Sequence, residues 1–444
     1  MCNAITICFC MISSIYVIIK DKKVYSPVVV FNAIWFLILS LESLHLFGLC
    51  VSENRIYLMI MLGVISFNMG FYLWSYRRKN HRIVFSFGKR SISSLNQTDY
   101  IIRYNLLYLI GLICVCYYLV SAVTTIKLLL AGANMGEIRS IVQNTVSDSG
   151  DTFFSKIINA INVLIIVPGS GVVQVTGAMD FWFGKKDKKL FFLAIVLACV
   201  SSLGEGGRTS LVNMAIYMLI GYLLSEIKLR RRKMDNKMVR KKRRRIIIFA
   251  TSLMIVFLAW FTLSRVGNTL VKNLYLYFSM QPYMFNLWAN AVDRSKLYGY
   301  SEASLNGFSF ALLYIIKNMF GIDFPKHWKG IYELIRATDS EWQIITTIST
   351  KANAYVSAFW FLYLDARIIG IVIGMVLYGA YLAHAFADAT KYTNIKTATL
   401  YGFIFQGMVY VFIRFPFSNI YYAISYLMII LFTFKKNTRG RELC

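Results

Sequence analysis

The segment 28-VVVFNAIWFLILSLESLHLFGL-49 decides the fold class of this chain. It is apolar over about the 20 residues that an α-helix needs to cross the hydrocarbon core of a bilayer. The segment 56-IYLMIMLGVISFNMGFYLW-74 repeats the pattern, and 57% of the 444 residues are hydrophobic. Lipid offers the backbone no hydrogen-bonding partner, so apolar blocks of this length are expected to be helical. The sequence therefore predicts an all-α polytopic membrane protein.

The apolar blocks predict about eleven transmembrane helices. They cover residues 4–19, 28–49, 56–75, 104–127, 157–180, 190–203, 209–227, 246–263, 366–387, 397–414 and 418–434. The first block could be a secretory signal peptide, but it has neither a basic leader before it nor a small-residue cleavage site after it. We therefore interpret it as the first span.

The basic residues are concentrated in short loops. The formal net charge is +27, and twelve Lys or Arg lie among the eighteen residues 228–245. Smaller basic groups lie at 77–90 and 184–189. Short loops rich in Lys and Arg stay in the cytoplasm, which predicts an N-terminus outside and a C-terminus in the cytoplasm. The same runs attract anionic membrane lipids. They lack a nucleic-acid-binding motif, which disfavours nucleic acid as a partner.

The spans divide the chain into three parts. Residues 1–263 are predicted to form a transmembrane bundle of spans 1–8, with the basic cytoplasmic loop 228–245. Residues 264–365 form a large periplasmic, or extracytoplasmic, loop that is rich in aromatic residues. Its stretch 304–321 has an apolar face at helical spacing, so the loop is expected to be partly helical. Residues 366–444 hold spans 9–11 and a basic cytoplasmic tail.

Arginines are predicted at the outer ends of several spans. Arg208 lies in 204-GEGGRTS-210, where glycines let the backbone approach a ligand and Thr209 can cap the next helix. The N-terminal amides of that helix would also favour an anion. Three further arginines are predicted at the outer face of the membrane, namely Arg139, Arg265 and Arg414. The guanidinium fork suits phosphate, so these four are candidate anion ligands, and anchoring at the interface is the alternative.

Three carboxylates are predicted at the same face. Asp339 and Glu341 lie late in the large loop, and Asp365 precedes the ninth span. A carboxylate within reach of a hydroxyl can act as a general base, so each of the three is a candidate catalytic residue. The residues alone do not rank them.

Neither a metal nor a cofactor is predicted. The chain has four histidines and eight cysteines, without a CxxC pair, and its outer face has no DxD motif. Metal sites are normally built from clusters of such residues. The cysteines lie mostly in apolar runs, where packing accounts for them.

Short motifs spread over most of the chain resemble the Wzy-type polymerases of O-antigen and capsular oligosaccharide repeat units. The opening run 26–49 is similar to their pattern of Pro, Phe-Asn and Trp, followed by a Gly-terminated span. Arg208, within the sequence GGRTS at 206–210, looks like the arginine that the family has at its outer face. The stretches 273-NLYLYFSMQPYMFNLW-288 and 353-NAYVSAFWFLYLDARIIGIVIGMVLYG-379 resemble the segments that enter and leave its large outer loop. At 365–367 this chain has Asp-Ala-Arg, where the resemblance predicts Asp-Phe-Gly.

The resemblance implies a glycosyltransferase-C-like architecture in the bacterial cytoplasmic (inner) membrane. It also implies a metal-independent glycosyltransferase whose substrates are oligosaccharides joined by a diphosphate to a long polyprenol. The growing chain is the donor, an acceptor hydroxyl attacks the anomeric carbon, and polyprenyl diphosphate leaves. A chain-length regulator and a flippase of the same pathway are implied as partners.

The implied reaction gives the candidate residues their roles. We expect Arg208 and Arg265 at the diphosphate, where arginine stabilises the charge that develops on the leaving group. Arg139 and Arg414 are further candidates for the same role. Asp365, Asp339 or Glu341 would take the proton of the acceptor hydroxyl. The aromatic residues of the large loop would stack on sugar rings.

Three other functions stay open. An O-antigen ligase would share the topology and the substrate, but such ligases tend to have a His-containing outer motif, and the surroundings of His327 do not match it. A flippase or transporter of lipid-linked glycan would be expected to show inverted repeats and charges deep in its spans. The central spans here are nearly free of charge. A purely structural membrane subunit is the remaining alternative.

Overall fold

The computed structural model describes residues 2–21, 26–84, 100–132, 153–231, 270–392 and 394–436. Its helices are α1 (Cys2–Asp21), α2 (Pro27–Glu42), α3 (Asn54–Val84), α4 (Tyr104–Leu130), α5 (Phe153–Ile161), α6 (Val167–Phe183), α7 (Lys188–Gly204), α8 (Thr209–Arg231), α9 (Leu270–Tyr277), α10 (Gln281–Ser295), α11 (Asn306–Phe320), α12 (Lys326–Ser340), α13 (Ser357–Tyr392), α14 (Ile395–Val409) and α15 (Ile420–Leu431). Helices α5 and α6 are joined by one π-helical turn, Asn162–Ile166. Two 3-10 turns cover Leu46–Gly48 and Pro416–Ser418.

Four short strands accompany the helices. Strand β1 (Tyr100–Ile102) pairs antiparallel with β4 (Phe434–Lys436), and Tyr100 lies opposite Lys436. Strand β2 (Gln343–Ile344) pairs antiparallel with β3 (Lys351–Ala352). The predicted all-α fold class is confirmed, because these strands are only two or three residues long.

Among the described residues, six helical stretches are long and apolar enough to cross a membrane. They are Cys2–Ile19, Asn54–Arg77, Tyr104–Leu130, Ile157–Phe183, Thr209–Lys228 and Ser357–Lys391. Helices α2 and α15 are apolar but shorter. The structure thus supports a membrane protein, and the count of about eleven spans stays a prediction. The predicted span 246–263 lies outside the described residues.

The chain forms two compact units. The first consists of Met1–Ser91, Val271–Ala387 and Gly407–Ala423. The second consists of Ile92–Leu270, Asp388–Gln406 and Ile424–Cys444. Each unit therefore combines segments that are distant in sequence. The division into a first bundle, an outer loop and a last group of spans stays a prediction.

Helix α7, in the second unit, begins at an aspartate cap. The carboxylate of Asp187 accepts hydrogen bonds from the backbone amides of Lys189 at 2.8 Å and Leu190 at 3.1 Å. Desolvation acts to raise the pKa of Asp187. Hydrogen bonds from the Tyr108 hydroxyl and from the two amides outweigh it, so the pKa of Asp187 is lowered from its ordinary value. The acidic residue after the basic run at 184–186 thus starts the helix.

Glycines bring α3 and α13 together in the first unit. A Cβ on Gly70 would lie 2.0 Å from the carbonyl oxygen of Val376, and one on Gly379 would lie 2.2 Å from the carbonyl oxygen of Phe67. Both obstacles are backbone atoms, which cannot rotate away. Small residues at such crossings allow helices to pack closely in a membrane, where little hydrophobic force drives them together.

Helix α13 begins nine residues earlier than the predicted ninth span. It starts at Ser357, inside the stretch 264–365 that was expected to be the outer loop. Residues 358–364 are all apolar and all buried. The predicted ninth span began at 366, directly after Asp365. In the structure, that position is an interruption within one long helix.

We expect Gly70→Ala to destabilise the first unit by about 1–3 kcal/mol, because the added methyl group overpacks the helix crossing. The matched control is Gly330→Ala in α12, where the new Cβ would meet a leucine methyl at an ordinary 3.5 Å. The control should stabilise the protein by up to about 1 kcal/mol. Unfolding of purified protein in detergent, followed by near-ultraviolet circular dichroism, measures both. Equal stability of Gly70→Ala and wild type would contradict the close crossing.

Candidate functional site

Helix α13 is interrupted at Ala366 and Arg367. Ala366 has φ −155° and ψ 37°, and Arg367 has φ 54° and ψ −138°, neither of which is helical. The φ of Arg367 lies in the region that favours glycine, so the backbone there is strained by of order 1–3 kcal/mol. Non-helical backbone within a membrane-spanning helix is tolerated where it is buried in protein or lines a cavity. The break therefore marks a candidate functional position.

The side chain of Asp365 fixes a second segment to this break. It is 5% exposed, and its two oxygens accept hydrogen bonds from the backbone amides of Ala303 at 2.9 Å and Ser304 at 3.0 Å. The carbonyl oxygens of Leu364 and Asp365 accept from the amides of Gly299 at 2.9 Å and Tyr300 at 3.1 Å. These hydrogen bonds anchor the segment 299–304 to the break in α13. The catalytic role predicted for Asp365 stays a prediction.

The anchored segment, residues 299–304, is a tight turn that precedes α11. Tyr300 and Ser301 have φ values of 47° and 78°, which L-residues rarely adopt. A Cβ on Gly299 would lie 2.4 Å from Oδ1 of Asp365, so glycine is required for the carboxylate to approach. The turn holds the Tyr300 side chain outward, where it is 74% exposed. Backbone strain that several surrounding contacts hold in place is typical of functional sites.

A cavity of about 420 Å³ lies between the break in α13, the 299–304 turn and the segment 415–417. We call it the break cavity. Its wall includes Gly370 and Gly374 of α13 together with Tyr378 and Phe415. Among the described residues that line it, Asp365 alone has an acidic or basic side chain. The volume is within the range of pockets that bind small ligands, and the lining is apolar.

The break cavity opens on the exposed apolar face of α13. Ile369, Ile373 and Leu377 line the cavity and are also strongly exposed. They recur every four residues, so they form one stripe along the helix. On a helix that spans a membrane, an exposed stripe of this kind faces lipid. If α13 spans a membrane, as its length and composition allow, the cavity opens toward the apolar chains of the bilayer.

Two arginines share one aspartate next to the break. Nη1 of Arg55 lies 2.9 Å from Oδ2 of Asp293, and Nε of Arg367 lies 3.6 Å from Oδ1 of the same carboxylate. The hydroxyl of Tyr363 donates a hydrogen bond to that oxygen at 2.8 Å. The guanidinium of Arg367 also lies 4.5 Å from the centre of the Tyr298 ring. This cluster holds Arg367 in its strained conformation.

The structure brings two of the predicted site residues together. A guanidinium nitrogen of Arg414 contacts Oδ1 of Asp339 in an ion pair. The Arg414 side chain is mostly buried, and its guanidinium lies 5.8 Å from the centre of the Phe361 ring. Its chain neighbour Phe415 lines the break cavity. A predicted anion ligand and a predicted base thus form one pair beside that cavity. Glu341 is exposed just after α12.

Arg208 and its neighbours belong to the second unit. Helix α7 ends at Gly204, α8 begins at Thr209, and Gly206 in the turn has φ 58°. The carboxylate of Glu205 accepts a hydrogen bond from the Tyr118 hydroxyl at 2.9 Å. Arg208 is partly buried. The left-handed backbone of the turn explains Gly206. The anion-binding role of Arg208 stays a prediction.

Two predicted anion ligands, Arg139 and Arg265, lie outside the described residues. Within the described ranges, no group of three His, Cys, Asp or Glu residues is arranged to hold a metal ion.

Sequence reasoning missed Arg55 and Asp293. The signal for Arg55 was present, because 53-ENR-55 places charges directly before the apolar segment at 56–74. Asp293 had no comparable signal, since its partners are 238 and 74 positions away along the chain.

Neither a protein-family model, nor a curated protein, nor a solved structure matches this chain significantly.

We expect Asp365→Asn to destabilise the first unit by about 1–3 kcal/mol, because a carboxamide can accept from only one of the two buried amides and leaves the other without a partner. The control is Asp323→Asn, which removes a largely exposed charge that pairs with Lys317 at 3.1 Å. Exposed pairs contribute little to stability, so the control should unfold like wild type. Unfolding in detergent measures both variants. If Asp365→Asn were as stable as wild type, the claim that Asp365 anchors the segment 299–304 to α13 would be wrong.

Proposed function

We propose that this protein joins polyprenyl-diphosphate-linked oligosaccharide repeat units at the outer face of the bacterial cytoplasmic membrane, as an oligosaccharide repeat unit polymerase of O-antigen or capsule biosynthesis. The observation that carries the proposal is the break cavity, an apolar space that opens on the exposed stripe of a span-length helix and ends in polar groups. Such a space suits an amphiphilic substrate, which has an apolar chain and a polar head group. A glycosyltransferase-C-like architecture with about eleven spans is part of the proposal.

The apolar chain of the substrate would enter along α13. Ile373 and Leu377 are shared by the cavity and the exposed stripe, so they would contact the chain along the helix. Burial of apolar surface supplies about 25 cal/mol per Å². This energy would hold the carrier while its polar end reaches the 299–304 turn.

The ion pair of Arg414 and Asp339 would act on the diphosphate end. A diphosphate is a stronger partner for a guanidinium than a single carboxylate, so it would compete with Asp339 for Arg414. Once displaced, Asp339 is free to accept the proton of the acceptor hydroxyl. The hydroxyl oxygen forms the new bond to the anomeric carbon, the bond from that carbon to the diphosphate oxygen breaks, and polyprenyl diphosphate leaves with its charge stabilised by Arg414.

In the proposal, the orientation in the membrane rests on charge, and the partners are those that the resemblance implies. The N-terminus would lie outside and the C-terminus in the cytoplasm, because the basic loops stay inside. A flippase of the same pathway would deliver the lipid-linked unit to the outer leaflet, and a chain-length regulator would act with the polymerase. The reaction would need no metal and no nucleotide sugar.

A glycan gel of a deletion strain tests the proposal. If the protein is a polymerase, the surface ladder collapses to a single repeat that is still attached, because export and attachment survive. A surface without repeats and an accumulation of long lipid-linked chains would make the protein a ligase instead. Single repeats retained at the inner leaflet would make it a flippase.

We expect a strain restored with Arg414→Ala to show the collapsed ladder, since the leaving group loses its cation. Arg414→Lys keeps the charge without the planar fork and should restore a shortened ladder. The control is Arg294→Ala, which removes an exposed arginine that donates to the carbonyl of Asn290. It should restore the full ladder. Immunoblots of membranes establish equal protein levels, and a full ladder with Arg414→Ala would remove Arg414 from the mechanism.

A further inference from the structure

Three neighbouring aromatic rings with nearly parallel planes lie beside the break cavity. The ring centroids of Tyr298 and Tyr300 are 6.1 Å apart, with 26° between the ring planes. Those of Tyr300 and His327 are also 6.1 Å apart, with 28° between the planes. We call these three rings the tyrosine platform. Because Tyr300 also lines the break cavity, the platform and the cavity share a wall.

Tyr298 and Tyr300 are restrained by their surroundings, although both side chains are exposed. The backbone of Tyr300 is fixed by its hydrogen bond to the carbonyl of Asp365 and by the left-handed conformations of Tyr300 and Ser301. The guanidinium of Arg367 lies 4.5 Å from the centre of the Tyr298 ring and restrains that ring as well. A ligand that stacks on rings already held in place loses less free energy to side-chain ordering.

Hydrogen-bonding groups lie at the edge of the platform. Nδ1 of His327 is 3.1 Å from Oε2 of Glu302, and both side chains are partly exposed. A carboxylate accepts hydrogen bonds, and an imidazole both accepts and donates them. The edge is thus suited to a ligand with several hydroxyl groups. The same carboxylate would repel a polyanion, which argues against a nucleotide chain stacked on the rings.

We propose that the tyrosine platform binds a saccharide ring, and that this ring is part of the head group of an amphiphile whose apolar chain lies in the break cavity. The C–H face of a pyranose packs on an aromatic ring, while its equatorial hydroxyls reach outward to groups such as Glu302 and His327. The shared Tyr300 places the sugar where the apolar chain leaves the cavity. The inference deepens the proposed function and rests on it for the natural ligand, whereas saccharide binding itself needs no polymerisation.

The experiment compares two small amphiphiles that have the same tail. The protein is reconstituted in nanodiscs and dialysed against hexyl β-maltoside or against hexyl tetraethylene glycol, whose head group has no sugar ring. Empty nanodiscs give the background of partition into lipid. Wild type should bind the maltoside more tightly by between about threefold and tenfold, the range that aromatic stacking supplies.

Substitutions in the platform identify where the preference arises. Tyr300→Leu keeps an apolar side chain without a ring and should bind both compounds equally, whereas Tyr300→Phe should keep the preference. The matched control is Tyr76→Leu, an exposed tyrosine near the far end of α3. Arg55, which contacts Asp293, lies about 30 Å away along that helix. The control should keep the preference.

Two results would overturn the inference, namely equal binding of both compounds by wild type, or a preference that survives in Tyr300→Leu. Tyr298→Leu repeats the test at a position without a left-handed backbone, and an undiminished preference there would also count against it. The outcome is separate from that of the glycan gel. A preference that depends on the platform, in a chain whose deletion leaves the ladder intact, would refute the polymerase and keep the saccharide site.

Discussion

The carboxylate of Asp365 is the constraint on which the rest of the candidate site depends. It joins α13 to residues 303 and 304, which lie 62 and 61 positions earlier in the chain. Without it, two buried amides would have no partner in apolar surroundings, where such groups are costly. With it, the break in α13 and the turn at 299–304 stabilise each other. The cavity, the exposed Tyr300 and the strained Arg367 all follow from that junction.

The charged groups near the junction are arranged so that each arginine has an acidic partner. Arg55 and Arg367 share Asp293, and Arg414 pairs with Asp339. Paired charges are far less costly at the end of a membrane-spanning helix than single ones. The two clusters differ in how readily they can exchange partners. Arg367 is also held by two aromatic rings and a backbone carbonyl, whereas Asp339 is partly exposed and can be displaced by a stronger anion.

The sequence predicted the helices better than the site. Apolar blocks at 4–19 and 104–127 became α1 and α4 with changes of at most three residues at their ends, because length and hydropathy are local properties. The block at 56–75 became α3, which continues nine residues further to Val84. Gly70 was visible in the sequence, but its close approach to Val376 required the partner helix.

The site was harder to predict because its contacts are long-range. Asp365 was singled out as a candidate base, yet both oxygens bind amides from a distant turn that carries no motif of its own. The pair of Arg414 and Asp339 joins two residues that the sequence assigned to different roles. The anion ligands Arg139 and Arg265 lie outside the described residues, so their roles stay predictions.

Reconstitution with a defined substrate tests the central claim most directly. Purified protein in liposomes receives one synthetic repeat unit on polyprenyl diphosphate, with a chelator present and no nucleotide sugar. The account predicts lipid-linked dimers and longer oligomers, and one polyprenyl diphosphate released for each new linkage. A repeat unit that stays single in the presence of folded protein, or that grows only when a nucleotide sugar is added, would contradict it.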